Sequence, residues 1–466
     1  MSLATPAPGE APPASHALGP DVSFIDRRAP RSSSRLPYLS LGVRNAIAAA
    51  VALIWALVSI WIALPWIRDL GGSLTVPVAA AVIAGIAILP GYLNAHLVAS
   101  ILLDRPKRVE DDLPAPPVTV LIAAYNESDR IADTVRYALA SDYRGDVSVM
   151  VCDDGSTDAT AEVVAAIAAE DPRVRVLECP HGGKASALNH GLAVVDTPLI
   201  ATCDADTLLM PWALGRAAGR LAQSPPDTVC VAGSVMVRNS RTNLLAAMQS
   251  WDYLLGIASV KREQSLMRGT LVAQGAFSVY RTDAVRDAGG WPDMIGEDIV
   301  LTWAMLAAGG RSTYEPTAIA FTDVPIGFRH FVRQRQRWAR GMIEGLRIHG
   351  ATLLRSARLY THAVAVNLCF PLMDLAFTCA FLPGLVLAAT GNYAIVGPFT
   401  LAVLPLNLLM LGLMARRQRA TFASMGLAVR RHRRAFLAYF LLYQLILSPV
   451  SLAGYAKELA RTRRRW

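Results

Sequence analysis

The stretch that decides the fold runs from residue 118 to residue 206. It opens with Val118 to Ala124 (VTVLIAA), followed by Tyr125-Asn126-Glu127-Ser128. It continues through 147–152 (VSVMVC) into Asp153-Asp154-Gly155-Ser156-Thr157-Asp158, and ends with 199–203 (LIATC) running into Asp204-Ala205-Asp206. Each apolar run is uninterrupted and free of charge, as a strand buried on both faces of a parallel sheet requires. Between the runs lie Ala-rich stretches, at 129–140, from Thr160 onward and at 185–194, that read as helices, with a further short strand at 174–177. Such β/α alternation with right-handed crossovers brings the carboxyl ends of the strands to one edge, where open α/β sheets place their ligands. The acidic clusters stand at those ends.

Two acidic clusters on neighbouring strand ends are costly to hold together unless cations or hydrogen-bond donors neutralise them. A nucleotide diphosphate with a divalent metal would do so. Asp204 and Asp206 flank one small residue, so both carboxylates can lean toward one hard cation, and Mg²⁺ or Mn²⁺ is satisfied by a few carboxylates plus phosphate oxygens. A solvated strand end is the bland alternative. Lys184, after Gly182-Gly183, opens a helix where the dipole prefers an anion; a phosphate between Lys184 and the local amides would resolve that conflict. His181 and Cys179, without a second pair at ligand spacing, read as structural.

Outward from this domain the composition changes. The 466 residues carry 45 Lys+Arg against 36 Asp+Glu, a formal net charge of +9, with 53% hydrophobic and only 17% charged residues. A soluble globular chain would carry about 25% charged residues, so an ordinary soluble enzyme is excluded. Six cysteines are too sparse for a disulfide scaffold. The apolar excess is concentrated: 45–66 and 74–103 hold no Lys, Arg, Asp or Glu, and each can cross a hydrocarbon core as a helix. Their connection, 67–73, has Arg68 and Asp69, which cancel, as suits an outside loop. Residues 1–44 read as a disordered tail whose Arg27, Arg28, Arg31, Arg35 and Arg44 hold it in the cytoplasm. It is not a signal peptide, because a basic start should lie directly before a short apolar core and the first apolar run begins only at Asn45. Arg105, Lys107 and Arg108 then place everything after the second span on the cytoplasmic side.

Apolar spans resume at 363–389 and 393–415. The first contains Asp374, which should face protein or a watery path and not lipid. A fifth run, 435–456, creates a conflict. Arg416, Arg417, Arg419, Arg430, Arg431, Arg433 and Arg434 precede it, and Lys457, Arg461, Arg463, Arg464 and Arg465 follow. Both flanks favour the cytoplasm, so the run is either one crossing or a re-entrant hairpin broken near Ser448 and Pro449. The expected division is a tail over 1–44, two spans over 45–103, the α/β domain with interfacial helices over 104–350, and a membrane region of two to three spans over 351–466.

Five motifs in order carry a resemblance: Ala124-Tyr125-Asn126-Glu127; Asp153-Asp154-Gly155-Ser156; Gly183-Lys184-Ala185 with Ala187-Leu188-Asn189; Asp204-Ala205-Asp206; and Gly296-Glu297-Asp298 with Gln334-x-x-Arg337-Trp338. Together they resemble the membrane-integrated processive family 2 glycosyltransferases, namely the cellulose, chitin, hyaluronan and poly-N-acetylglucosamine synthases. The resemblance implies a GT-A (Rossmann-like) α/β domain inserted between transmembrane helices. It implies that Asp153 and Asp154 hold the uracil and ribose of a UDP-sugar, with Tyr125 and Glu127 at the pocket mouth and Lys184 near the nucleotide. Asp204 would contact ribose or metal, and Asp206 the metal, Mg²⁺ or Mn²⁺, bound to the diphosphate.

Inverting transfer needs a carboxylate to accept the proton of the attacking hydroxyl. Asp298, beside Glu297 in the loop 291–299 before a helix at 300–308, takes that role; capping of the helix is compatible with it. Gly296 stands where many relatives have Thr. Gln334, Arg337 and Trp338 share one helical face, which in these synthases meets the diphosphate and the acceptor terminus. Arg337 suits forked phosphate contact and Trp338 a sugar platform. The surrounding basic stretch also reads as an amphipathic helix on the inner leaflet. Residues 244–267 read as a second interface helix or as core, and Gln274-Gly275-Ala276-Phe277 resembles the family's acceptor segment, with Gly275 allowing close approach of a sugar.

The resemblance therefore implies processive, inverting transfer, with N-acetylglucosamine favoured, to a growing β-linked polysaccharide that is exported through the spans of a bacterial-type inner membrane. A small membrane or export partner fits this picture. Poly-β-1,6-N-acetylglucosamine synthases fit best among the relatives. Against a cellulose synthase stand the lack of a regulatory domain after the spans and of a gating-loop motif. A non-processive lipid-linked transferase and a non-catalytic export scaffold stay open. Nucleic acid is not an expected partner, because the Arg clusters have a topological explanation.

Overall fold

The computed structural model describes residues 39–105, 109–110, 113–429 and 432–461, with the side chains of 398–402 excepted. The tail arginines from Arg27 to Arg35, Lys107, Arg108, Arg430, Arg431 and the terminal Arg463, Arg464 and Arg465 lie outside these residues.

Eight strands form one mixed sheet: β1 (Val118–Ala124), β2 (Val147–Asp153), β3 (Val174–Glu178), β4 (Leu199–Asp204), β5 (Leu208–Leu209), β6 (Thr228–Val237), β7 (Phe277–Arg281) and β8 (Arg311–Thr322), in the order β3-β2-β1-β4-β7-β6-β8-β5. The four strands read from the sequence are the parallel half, β3-β2-β1-β4. Beyond β4 the sheet continues with β7 antiparallel to it, so the domain is less uniformly parallel than the first 90 residues suggest. Register decides where the chemistry falls. Ala124 pairs with Asp153 and Ala123 with Asp204, so the carboxylates ending β2 and β4 stand on either side of the end of β1.

The strands are buried because their side chains are apolar on both faces: Val118, Val120, Leu121, Ile122, Val149, Val151, Ile200 and Ala201 are fully enclosed. Helices Ile131–Leu139, Thr160–Glu170 and Lys184–Val194 make the crossovers. The helix expected at 300–308 starts three residues earlier, as Glu297–Ala307. Glu297 and Asp298 are thus in its first turn, where acidic residues suit the helix dipole.

Among the described residues four helices are long and apolar enough to cross a membrane: Leu41–Ser73, Val76–Leu103, Thr361–Ala389 and Arg433–Leu459. Pro398–Ser424 adds a fifth long helix. The first outlasts its apolar run, so Arg68 and Asp69 belong to it and not to a loop; the turn is Leu74 and Thr75, ended by Pro77 in the first turn of the next helix. The re-entrant hairpin considered for 435–456 is not formed. The chain stays helical from Arg433 to Leu459 through Pro449. At the expected break Ser448 donates instead to Asp374 Oδ1 at 2.6 Å, while the Tyr455 hydroxyl donates to Asp374 Oδ2 at 2.9 Å. Asp374 is buried between helices and faces protein, as its position in an apolar run requires.

A polar junction fastens the α/β domain to the first two of these helices. Asp104, ending the second helix, is paired with Arg262 of the domain and lies 3.8 Å from Arg44 of the first helix. Arg417 donates to its carbonyl. Nearby, Glu263 meets His96 Nδ1 at 2.5 Å. The helical stretch 244–266, read either as core or as interface, is both: it packs under the sheet and carries Arg262 and Glu263 to the spans.

Candidate active site

The end of β1 and the end of β2 are stitched by backbone amides and hydroxyls. Asn126, with φ of 54°, accepts from Thr157 N at 2.8 Å through Oδ1, and its own N–H donates to Ser156 Oγ at 3.0 Å. Glu127 N donates to Thr160 Oγ1 at 2.9 Å. Asp153 Oδ2 accepts from Ser156 N at 3.0 Å. Asp154 accepts from Gly182 N at 2.8 Å and from Gly183 N at 2.9 Å. The amides expected to cradle a phosphate beside Lys184 are therefore turned to the Asp154 carboxylate, which is the anion the helix start prefers. Asp153 and Asp154 are both buried. His181 Nδ1 donates to Asp154 O at 2.9 Å, and its ring packs on the half-exposed Tyr125 ring with centroids 4.6 Å apart.

Lys184 is turned the other way, toward β4. Its Nζ pairs with Asp204 Oδ1 and lies 3.6 Å from Glu297 Oε1. Gly275 seals the same point, since a Cβ there would come 2.5 Å from Lys184 Nζ and 3.7 Å from Asp204 Oδ1. Gly275 N–H in turn donates to Asp298 Oδ2 at 3.3 Å, while Ile299 N–H donates to Asp298 Oδ1 at 2.8 Å. One small space thus gathers Lys184, Asp204, Gly275, Glu297 and Asp298.

The electrostatics follow from burial. Asp206 is pushed up to about 6, by burial first and by the neighbouring Asp204 second, while the Thr322 hydroxyl, 3.0 Å from Oδ1, holds it down. Burial also raises Glu297, against the pull of Lys184 and with the push of Asp298. Burial would depress Lys184, but Asp204, Glu297 and Asp298 outweigh it and the ammonium stays charged. Burial raises Glu127 as well, opposed by Arg130. Asp204 and Asp206 offer hard oxygen donors with negative charge in excess, a set that fits a small divalent ion completed by phosphate oxygens. Among the described residues no group of three or more His, Cys, Asp or Glu is gathered for a metal.

The Gln334–Trp338 helix, Phe328–Gly345, docks on the helix start that carries the carboxylates. A Cβ on Gly296 would come 2.5 Å from Gly341 Cα, and Gly296 N–H donates to the buried Glu344 Oε2 at 3.0 Å. Glycine in place of threonine at 296 is therefore a packing requirement, met by a second glycine opposite. Arg337 is exposed at the rim and close enough to pull Glu297 downward. Gln334 is half-buried, and its Oε1 has no hydrogen-bond partner among the described residues. Trp338 is half-buried against Tyr253, with centroids 6.2 Å apart.

Three residues of the site region escaped the sequence reading. Lys261 is buried, donates to Val272 O at 2.5 Å and is pushed down to about 7 by burial, with Asp298 pulling upward. Glu344 fixes Gly296, and Arg335 stacks on Trp338. Only long-range packing brings them in; a lysine or glutamate on a basic helix carries no local signal.

This arrangement of acidic strand ends on a mixed α/β sheet defines a class. Residues 115–341 match the family described as Glycosyltransferase like family 2, so the chain carries a family 2 glycosyltransferase domain on a GT-A sheet, flanked by helices apolar enough to span a membrane. Over 225 residues, 48% of this chain and 54% of the relative, it is 34% identical to the poly-beta-1,6-N-acetyl-D-glucosamine synthase of Staphylococcus aureus strain MSSA476. It is 31% identical over 226 residues to the synthase of the same name from Staphylococcus epidermidis, again covering 48% of this chain and 54% of that one. The chain thus spans about half the length of the curated relatives it matches. Among solved structures it is similar to the mannosyltransferase PcManGT from Pyrobaculum calidifontis, in complex with GDP-Man and Mn²⁺. The TM-score is 0.56 at 19% identity, covering 91% of this chain and all of that one, a likeness of fold.

Proposed function

We propose that the protein is a membrane-embedded, processive, inverting glycosyltransferase. It takes N-acetylglucosamine from its UDP-sugar on the cytoplasmic side of a bacterial-type inner membrane, adds it to a growing β-linked polysaccharide and passes the chain through its own helices. The observation that carries this reading is the Gly296–Gly341 contact. It seats the helix bearing Gln334, Arg337 and Trp338 directly on the turn bearing Glu297 and Asp298, so acceptor and donor elements share one space. A lipid-linked transferase adding one sugar has no need of that helix.

In this mechanism Asp153, Asp154, Tyr125 and Glu127 frame the nucleoside end of the cleft. Asp298, its carboxylate aimed by the Gly275 and Ile299 amides, accepts the proton of the acceptor hydroxyl. That oxygen bonds to the anomeric carbon as the bond to the diphosphate breaks and UDP leaves. Asp204 and Asp206 would hold a divalent ion, which when bound would neutralise charge on the departing UDP. Lys184 keeps Asp204 and Glu297 together while that happens. Trp338 offers the flat apolar face on which the chain terminus rests, and Arg337 is placed for the diphosphate.

The topology belongs to the same reading, with a tail over 1–44, spans over 45–103, the transferase domain over 104–350 and a membrane region over 351–466. Both ends of Arg433–Leu459 touch the domain side. Trp251 Nε1 donates to His432 O at 3.3 Å, whereas Glu458 pairs with Arg340 at 3.1 Å. A helix of 27 residues is ~40 Å long, so a crossing would separate those ends by the bilayer. We place it along the inner interface, with both basic flanks in the cytoplasm.

The test is polymer synthesis in inverted membrane vesicles offered UDP-N-acetylglucosamine or UDP-glucose with Mg²⁺ or Mn²⁺. Polymer is expected from the first donor alone, dependent on the ion and lost in Asp298→Asn. A single sugar transferred to lipid would overturn processivity.

A further inference from the structure

Arg335 is part of the same helix but not of its site-facing row. Only 4% exposed, it turns toward the last apolar helix. Its Nη1 pairs with Asp252 Oδ2 at 3.0 Å, and the same oxygen accepts the Tyr443 hydroxyl at 2.9 Å. The guanidinium carbon lies 4.1 Å from the centroid of the Trp338 ring, 5.2 Å from Phe331 and 5.9 Å from Tyr443. Nε and Nη2 have no hydrogen-bond partner among the described residues. With one edge on a carboxylate and its other donors unspent, the cation's remaining attraction is to the aromatic faces around it.

The surroundings leave these groups little choice of position. Asp252–Ile257 and Tyr439–Tyr443 are π turns, in which the wider winding redirects side chains and which recur at functional places. A Cβ at Gly256 would come 2.9 Å from Asp252 Oδ1, so glycine there makes room for the carboxylate. A buried ion pair is a weak source of stability, because desolvation offsets the attraction; its best attested use is to specify one arrangement among several. The arrangement specified here is the plane of Trp338, caught between Arg335 and Tyr253.

We propose that Arg335, held by Asp252 and Tyr443, is a positioning residue that fixes the Trp338 ring and ties it to the helix Arg433–Leu459. The acceptor platform is thereby tied to that helix as well as to the domain that carries Asp252 and Tyr253. This rests on the reading of Trp338 as that platform. It assigns Asp252, Arg335 and Tyr443 to processivity, since a platform free to rotate releases the chain terminus between additions, whereas donor binding at β2 and β4 is untouched.

The experiment measures mean polymer length per UDP released, together with the KM for the donor, in vesicles carrying the full chain. Arg335→Lys keeps the charge but loses the planar stacking, and is expected to shorten the polymer several-fold at unchanged donor KM. Tyr443→Phe, which keeps the ring and removes one hydrogen bond, shortens it less. Arg335→Met leaves Asp252 buried and uncompensated; adding Asp252→Asn removes both charges and restores the thermal stability lost, but not the length. Native-length polymer from Arg335→Lys, or length that returns with stability in the double variant, would overturn the proposal. Trp338→Ala, run beside them, separates the two readings. Native-length polymer from that variant removes the platform itself, whereas short polymer from Trp338→Ala with native length from Arg335→Lys removes only the positioning role.

Discussion

Two ionic regions of this molecule are charged in opposite senses. At the sheet edge Asp204, Glu297 and Asp298 are collected around Lys184, with Asp206 beside Asp204, and burial raises Asp206 and Glu297. At the junction with the membrane helices Asp104 is met by Arg262, Arg44 and Arg417. The junction has its cations in place and serves as a fastening. The sheet edge is short of positive charge, a costly state that is maintained where a ligand brings the missing charge. The junction is closed to solvent, with Arg262 and Asp104 only 4% and 5% exposed, whereas Lys184 and Asp204 are a third open at 33% and 34%. Exposure and the sign of the imbalance together separate site from structure.

Asp298→Asn should have the largest effect, a loss of roughly 10²–10⁴-fold in transfer rate, read as UDP release with acceptor present. The Asn side chain keeps one acceptor oxygen for the Ile299 amide and gives up only the longer bond from Gly275, so thermal stability should fall by no more than about 1 kcal/mol. Equal rates would remove Asp298 as the base. On the other side of the comparison, Asp104→Asn should cost about 3–5 kcal/mol of stability by leaving buried guanidinium groups uncompensated. Its surviving folded fraction should keep its turnover per molecule.

Asp206→Asn should do the reverse of Asp104→Asn. The carboxyl is displaced upward from 3.8 to about 6, so the folded state holds its proton more tightly than the unfolded chain. The stability this gives is present in full below the unfolded pKa and is lost as pH rises through 6. The metal-free protein therefore carries a penalty of about 3 kcal/mol at pH 8, which the variant escapes. Thermal unfolding without metal should show the variant more stable than the native protein at pH 8, with the advantage fading toward pH 4. The smallest effect concerns Gly296→Ala, whose Cβ meets Gly341; about 1–3 kcal/mol of overpacking is expected. The fall in kcat should be relieved by nothing short of moving the two helices apart.

How much of this was legible in the sequence divides along the same line. VTVLIAA, VSVMVC and LIATC announce buried parallel strands, and the acidic residues that end them fall at the ligand edge because β/α topology leaves no other place for strand ends. Glu297 and Asp298 could be placed at a helix start for the same local reason. The mixed half of the sheet was not legible, since β7 runs antiparallel to both β4 and β6 while β6 pairs in parallel with β8, more than 80 residues away, in the register Thr228 to Arg311. Nor was Arg335, which in sequence is one more arginine on a basic helix and becomes distinctive only where Asp252 and Tyr443 close over it. The hairpin considered at Pro449 failed for a related reason. A proline in an apolar run breaks a helix in water, but here Ser448 beside it is bonded to Asp374 of a neighbouring helix.

The imbalance at the sheet edge calls for a cation carried in with a nucleotide. Calorimetric titration of UDP into the purified protein at pH 7.5, with and without Mn²⁺, tests that requirement most directly, using the native chain and Asp206→Asn. Binding by the native chain should tighten at least tenfold with Mn²⁺, a gain of about 1.4 kcal/mol, and the variant should show no gain. Equal affinity with and without the ion in the native chain, or an undiminished gain in Asp206→Asn, would contradict the account.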